Sequence, residues 1–111
     1  MGMTPIGNNT YAARVLWAAD ARATYPLVAL AAPGLTFAAW RRRVGAAAAR
    51  WPRQALVGVY NAAGCAIAVL EWNGGGLSLM AGAPAMLFDS QTVYASAARA
   101  LDGMMGSALD D

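Results

Sequence analysis

At 111 residues, 59% apolar and 13% charged, the chain has room for one domain, 1–111, built on a single core. It has no histidine, which removes the Ser-His-Asp arrangement, the commonest general base and most catalytic zinc sites. Its one cysteine, Cys65, excludes an internal disulfide and fits a reducing cytoplasm, and the net charge of +2 comes from eight basic residues that are all arginine. In an alanine-rich chain, the absence of lysine points to a GC-rich bacterial coding sequence more than to a physical requirement.

Met1–Thr10 is polar and reads as a loose lead-in. It has no charged stretch followed by an apolar run, so no signal peptide is expected there. Tyr11–Ala18 fits a first strand, with Val15 and Trp17 toward the core and Arg14 outward; Leu16 breaks the alternation. Asp20 is placed to cap a helix, Thr24 to cap a second start with Pro26 in its first turn, and Pro33-Gly34 to close the segment. Thr36 opens the clearest helix. Phe37, Trp40, Val44, Ala47, Ala48 and Trp51 recur at spacings of three and four and form one apolar stripe. Arg42, Arg43 and Arg50 fall elsewhere on the wheel, and Pro52 ends the helix.

Ala55–Trp72 then reads as two apolar strands folded back around Asn61-Ala62-Ala63-Gly64. The β-branched and aromatic residues Val57, Val59, Tyr60, Ile67, Val69 and Trp72 suit a pleated surface, and Asn61 and Gly64 suit a tight connection. Neither strand alternates with polar residues, so both of its faces are expected to be buried, which makes the hairpin the centre of the sheet. Asn73-Gly74-Gly75-Gly76 is a turn, Leu77–Ala83 a third hairpin-connected strand, and Pro84 an interruption after which Met86-Leu87-Phe88 resumes the strand at an edge. Asp89 or Ser90 caps a last helix whose apolar face is Val93, Tyr94, Ala97, Leu101, Met104 and Met105. The expected fold is α+β, an antiparallel sheet of about four strands with helices packed on it, in the order β-α-α-β-β-β-α. The longest uncharged runs, Gln54–Leu70 and Trp72–Phe88, are broken by Gly, Asn or Pro and fall short of the roughly 20 apolar residues of a membrane helix. The high apolar content favours a homo-oligomer, since large apolar patches on such proteins mark contact sites.

Candidate chemical groups are sparse. Glu71 stands at the end of a central strand as the only acid between Asp20 and Asp89. It suits a general base, and an ordinary solvated carboxylate accounts for it as well. Arg41, Arg42 and Arg43, with Arg50 and Arg53, suit an anion such as CoA phosphates or nucleic acid through their paired donors, or simply a solvated helix face. The small net charge and the lack of a longer basic stripe with interleaved aromatics argue against a nucleic-acid partner. Cys65 reads as a small buried hydrophobe. The acids are too scattered for a metal site. Arg42-Arg43-Val44-Gly45-Ala46-Ala47 matches a phosphate-loop pattern, but the stripe running through it places it inside the helix.

The order of elements resembles the N-terminal half of the GNAT superfamily of acyl-CoA-dependent N-acetyltransferases. The resemblance rests on Arg14-Val-Leu-Trp-Ala-Ala-Asp20, on Pro33-Gly-Leu-Thr-Phe-Ala-Ala-Trp40-Arg41, and on the hairpin with Ala63-Gly64 at its tip. Gly76–Leu109 then looks like a fourth strand running into a third helix. It covers most of this chain and about half of a full family domain. What it implies is acetyl-CoA as cofactor, held by the backbone of Leu79, Met80, Ala81 and Gly82 and by the helix start Ser90, Gln91 and Thr92, with Glu71 as base. The family's pyrophosphate loop has no counterpart, because Ala85-Met-Leu-Phe-Asp-Ser90 stands in its place, and the usual catalytic tyrosine lies in the half not covered. The resulting expectation is a GNAT-like homodimeric binding or interaction module without catalytic activity, taking a protein partner. The alternative is a minimal acyltransferase whose CoA site is completed by dimerisation.

Overall fold

A computed structural model describes residues 11–83 and 90–110, with side chains through 105. The lead-in 1–10, the Pro84 interruption, the resumed strand at Met86–Phe88, the Asp89 cap and Asp111 lie outside the described residues. The elements are β1 (Ala12–Val15), a 3-10 turn (Ala18–Asp20), α1 (Ala21–Ala31), α2 (Phe37–Ala49), β2 (Ala55–Tyr60), β3 (Ala66–Trp72), β4 (Leu77–Gly82) and α3 (Ser90–Asp110). This is the expected α+β order. The four strands form one antiparallel sheet in the order β1-β2-β3-β4.

The sheet separates two apolar layers. Val57 pairs with Leu70 and Val59 with Ala68; these four join Val15 and Ala55 in packing against Val93, Ala97 and Leu101 of α3. On the opposite face Leu16, Leu56, Val69 and Ala81 meet Ala21, Leu27 and Val28 of α1 and Trp40 and Val44 of α2. Ala55 through Val59 are all buried, so β2 has no solvated face. Each large side chain buried in this way contributes about 1.5–3 kcal/mol relative to its exposure. Gly58 leaves room on the α1/α2 face: a Cβ there would sit 2.9 Å from Leu16 Cδ2 and 3.1 Å from the Tyr60 hydroxyl.

Local signals in the sequence account for several boundaries. Thr36 caps α2, its hydroxyl accepting the Ala39 N–H at 3.1 Å. Asn61 closes the hairpin by accepting the N–H groups of Ala63 and Cys65 at 3.0 Å each, and Gly64 there takes a φ of +84°. The register of β3 and β4 shifts between Val69 and Leu70, which pair with Ala81 and Leu79, so Met80 is the bulged residue.

Four readings are corrected. β1 stops at Val15, so the alternation ends there: Leu16 is buried, and Trp17 is 36% exposed at the entrance to the 3-10 turn. Thr24 does not start a second helix. It lies inside α1, fully buried, where its hydroxyl accepts the Trp40 indole N–H at 3.0 Å and reaches the Asp20 carbonyl at 3.0 Å. Trp51 leaves the α2 stripe because the helix ends at Ala49, and its half-buried ring packs on the α3 layer instead. Cys65 is exposed in the hairpin turn rather than buried. The phosphate-loop pattern at Arg42–Ala47 is helical throughout.

The Thr24–Trp40 bond joins α1 to α2 inside the core, and it sets a test. Thr24→Val keeps the shape but leaves a buried indole N–H without an acceptor. Urea unfolding is expected to show a loss of about 1–3 kcal/mol, with the m-value unchanged.

Candidate functional site

Two polar constellations lie on the α1/α2 face. The first gathers residues far apart in sequence. Glu71 pairs with Leu56 on β2 and Ser78 on β4 and therefore projects to the same face as Val69. There the Arg43 guanidinium of α2 lies 3.6 Å from its carboxylate, with side-chain exposures of 53% and 41%. A pair this exposed adds little stability. Next to it, Arg43, Trp40, Val28, Leu35 and Met80 line a cleft of about 130 Å³ between α1, α2 and β4. That volume takes a group about the size of benzene, well short of the roughly 300–1,000 Å³ of sites for larger ligands.

Of the residues singled out in the sequence, Arg43, Glu71 and Met80 come together here, with Met80 presented by the β4 bulge. Arg41 and Arg42 are exposed on α2 and belong to a different surface, beside Phe37 and Ala18. Leu79 pairs with Leu70, a residue of the α3-facing layer, and is 40% exposed, while Ala81 is buried on the α1/α2 side. Gly82 is exposed at the end of β4. Ser90, Gln91 and Thr92 begin α3, which packs on the other face against β1 and β2. The residues assigned to CoA are thus divided between the two sides of the sheet.

The second constellation escapes sequence reasoning. Asp20 accepts the Trp17 N–H at 2.8 Å and the Arg14 guanidinium at 3.2 Å, fixing the corner between β1 and α1. Tyr60 stands beside this pair, half-buried over Gly58. Burial holds its phenol above the usual pKa, the Asp20 carboxylate adds to the rise, and Arg14 works against it. The six-residue spacing of Arg14 and Asp20 carries no periodic signal, and nothing local ties either to Tyr60.

Among the described residues, no group of three or more His, Cys, Asp or Glu could hold a metal ion, and no helix is long and apolar enough to cross a membrane. No protein-family model, curated protein or solved structure matches this chain.

The Tyr60 environment has a sign that can be checked. The folded protein holds the phenolic proton more tightly than the unfolded chain, whose tyrosine titrates near 10.0. The stability tied to this group is therefore complete below pH 10 and falls as the pH rises through the higher folded value. Tyr60→Phe is expected to flatten the decline in melting temperature above pH 10; an unchanged decline would assign it to other groups.

Proposed function

We propose that this chain is a GNAT-like module that works by binding, as a homodimer joined along β4. The observation that carries this reading is the edge position of β4. Among the described residues it has a sheet neighbour on one side only, so its other backbone groups are placed to pair with a second strand. Leu79, one of three large apolar side chains exposed among the described residues, lies on this strand. Leu30, 80% exposed, is on α1, the helix packed over β3 and β4. Antiparallel addition of a second β4 would continue the sheet about a two-fold axis.

The test is Leu79→Lys with light scattering on both proteins. A lysine facing its symmetry mate counts twice in such a dimer, so the dimer dissociation constant is expected to rise by about tenfold or more, with the fold retained by circular dichroism. A wild-type monomer at high micromolar concentration would end this reading.

The second reading, a minimal acyltransferase completed by dimerisation, draws support from the bulge at Met80. Bulges favour the neighbourhood of active sites, and this one falls within Leu79–Gly82 and beside Arg43 and Glu71. Glu71 would accept the proton of an amine, and the cleft would take a short acyl group. Calorimetric titration with acetyl-CoA decides it. Saturable micromolar binding, lost in Ser90→Glu or Gln91→Glu, is the expected outcome of this reading. The absence of heat up to millimolar ligand from a well-folded dimer would exclude it.

A further inference from the structure

Residues 11–83 carry seven of the eight arginines and only two acids, Asp20 and Glu71. Both acids are already engaged, Asp20 with Arg14 and Glu71 with Arg43. Arg22, Arg41, Arg42, Arg50 and Arg53 therefore have no carboxylate partner among the described residues, and all five are exposed. A net charge of +2 conceals this sorting.

These arginines collect at the two ends of α2. At its start, Arg22, Arg41 and Arg42 line two adjoining depressions of about 410 Å³ each, with Phe37 and Ala18 in both. The Arg22 guanidinium sits over the Phe37 ring, 5.1 Å from its centroid, which orients that cation. Past the end of α2, Arg50 and Arg53 line a third depression of about 520 Å³ together with Trp51. Trp17 links the two regions. It directly precedes Ala18 and Ala19, and its ring meets Trp51 edge-on at 6.4 Å. The surface thus runs from Arg22 and Phe37 through Trp17 and Trp51 to Arg50 and Arg53. Arg42 and Arg50 are about 12 Å apart along the helix axis, the rise of three to four nucleotides of a stacked strand.

We propose that this surface binds single-stranded nucleic acid, the arginines taking phosphates and the exposed ring of Trp17 taking an unpaired base. Aromatic rings decide between the polyanions. An acidic peptide or an anionic lipid surface needs only the charges. A single strand uses both charges and rings, because stacking on side chains requires bases that are not already paired. The proposal uses neither the β4 edge nor the cleft at Met80, so its outcome is independent of the dimer.

The experiment is fluorescence anisotropy with a labelled 15-residue oligothymidylate. Saturable binding is expected at 50 mM salt. With four phosphates neutralised, a slope of about −0.7 per contact predicts an affinity roughly fifty-fold lower at 200 mM. Arg41→Gln with Arg42→Gln, both on exposed positions, is expected to weaken binding at least about tenfold. Trp17→Ala should weaken oligothymidylate about fivefold or more while leaving polyglutamate of equal charge unaffected. The unfolding transition of each variant verifies the fold, and Arg42→Gln alone replaces the double variant if that transition is lost. Four results would overturn the proposal: no saturable binding at 50 mM salt, equal affinity for polyglutamate or phosphatidylserine vesicles, duplex bound as tightly as single strand, or no effect of the arginine substitutions.

Discussion

Everything in this fold follows from β2 having no polar face. Ala55 through Val59 are buried in succession, so the strand needs apolar cover on both sides, and no arrangement with one wet face satisfies it. The alternation of the pleat then divides the labour. Val57 and Val59 take α3, while Leu56 and the space above Gly58 take α1, α2 and Leu16. The α1/α2 layer must also hold together as a unit, and the Trp40–Thr24 bond does so by satisfying two polar groups inside an otherwise apolar layer. No buried side-chain nitrogen or oxygen among the described residues is left without a partner.

The same economy shapes the surface. The first 83 residues offer only two acids, and each sits against an arginine: Asp20 with Arg14 at the β1–α1 corner, Glu71 with Arg43 between β3 and α2. The remaining arginines are left facing solvent by subtraction. The basic character of the α2 surface thus follows from how few acids this part of the chain carries and where they sit. Long arginine stems also cover apolar surface there, as Arg22 does over Phe37.

Much of this was readable from the sequence, and the limits have a common cause. The hairpin, the α2 cap at Thr36, the apolar face of α3 and the order of elements rest on signals contained within one segment. Periodicity and capping express these directly. The failures came where the partner lies elsewhere in the chain. Thr24 looks like a cap because Ser, Thr, Asp and Asn usually are caps; its true role depends on Trp40, sixteen residues away. Trp17 reads as core from the strand alternation and Trp51 from the helical stripe, yet each falls just past the end of its element, where its face is set by the turn rather than by the repeat. Cys65 looks like core by composition, while the turn built on Asn61 turns it outward. The candidate site divides in the same way. Glu71 stood out by its isolation, but its pairing with Arg43 joins a strand to a helix 28 residues earlier, and no spacing rule connects them.

The sheet also constrains what one chain can do chemically. Arg43, Glu71 and Met80 sit on the α1/α2 face, and α3 packs on the other. The cleft of about 130 Å³ beside them admits a short acyl group and nothing as large as CoA. A ligand touching both the cleft and the first turn of α3 would have to pass around the sheet rather than through it. β4 is the edge strand beside the cleft, and among the described residues it has no sheet partner on its outer side. On either proposed reading, binding module or completed acyltransferase, a second copy of the chain would engage β4, and the two readings differ in whether the cleft behind Met80 is filled when it does.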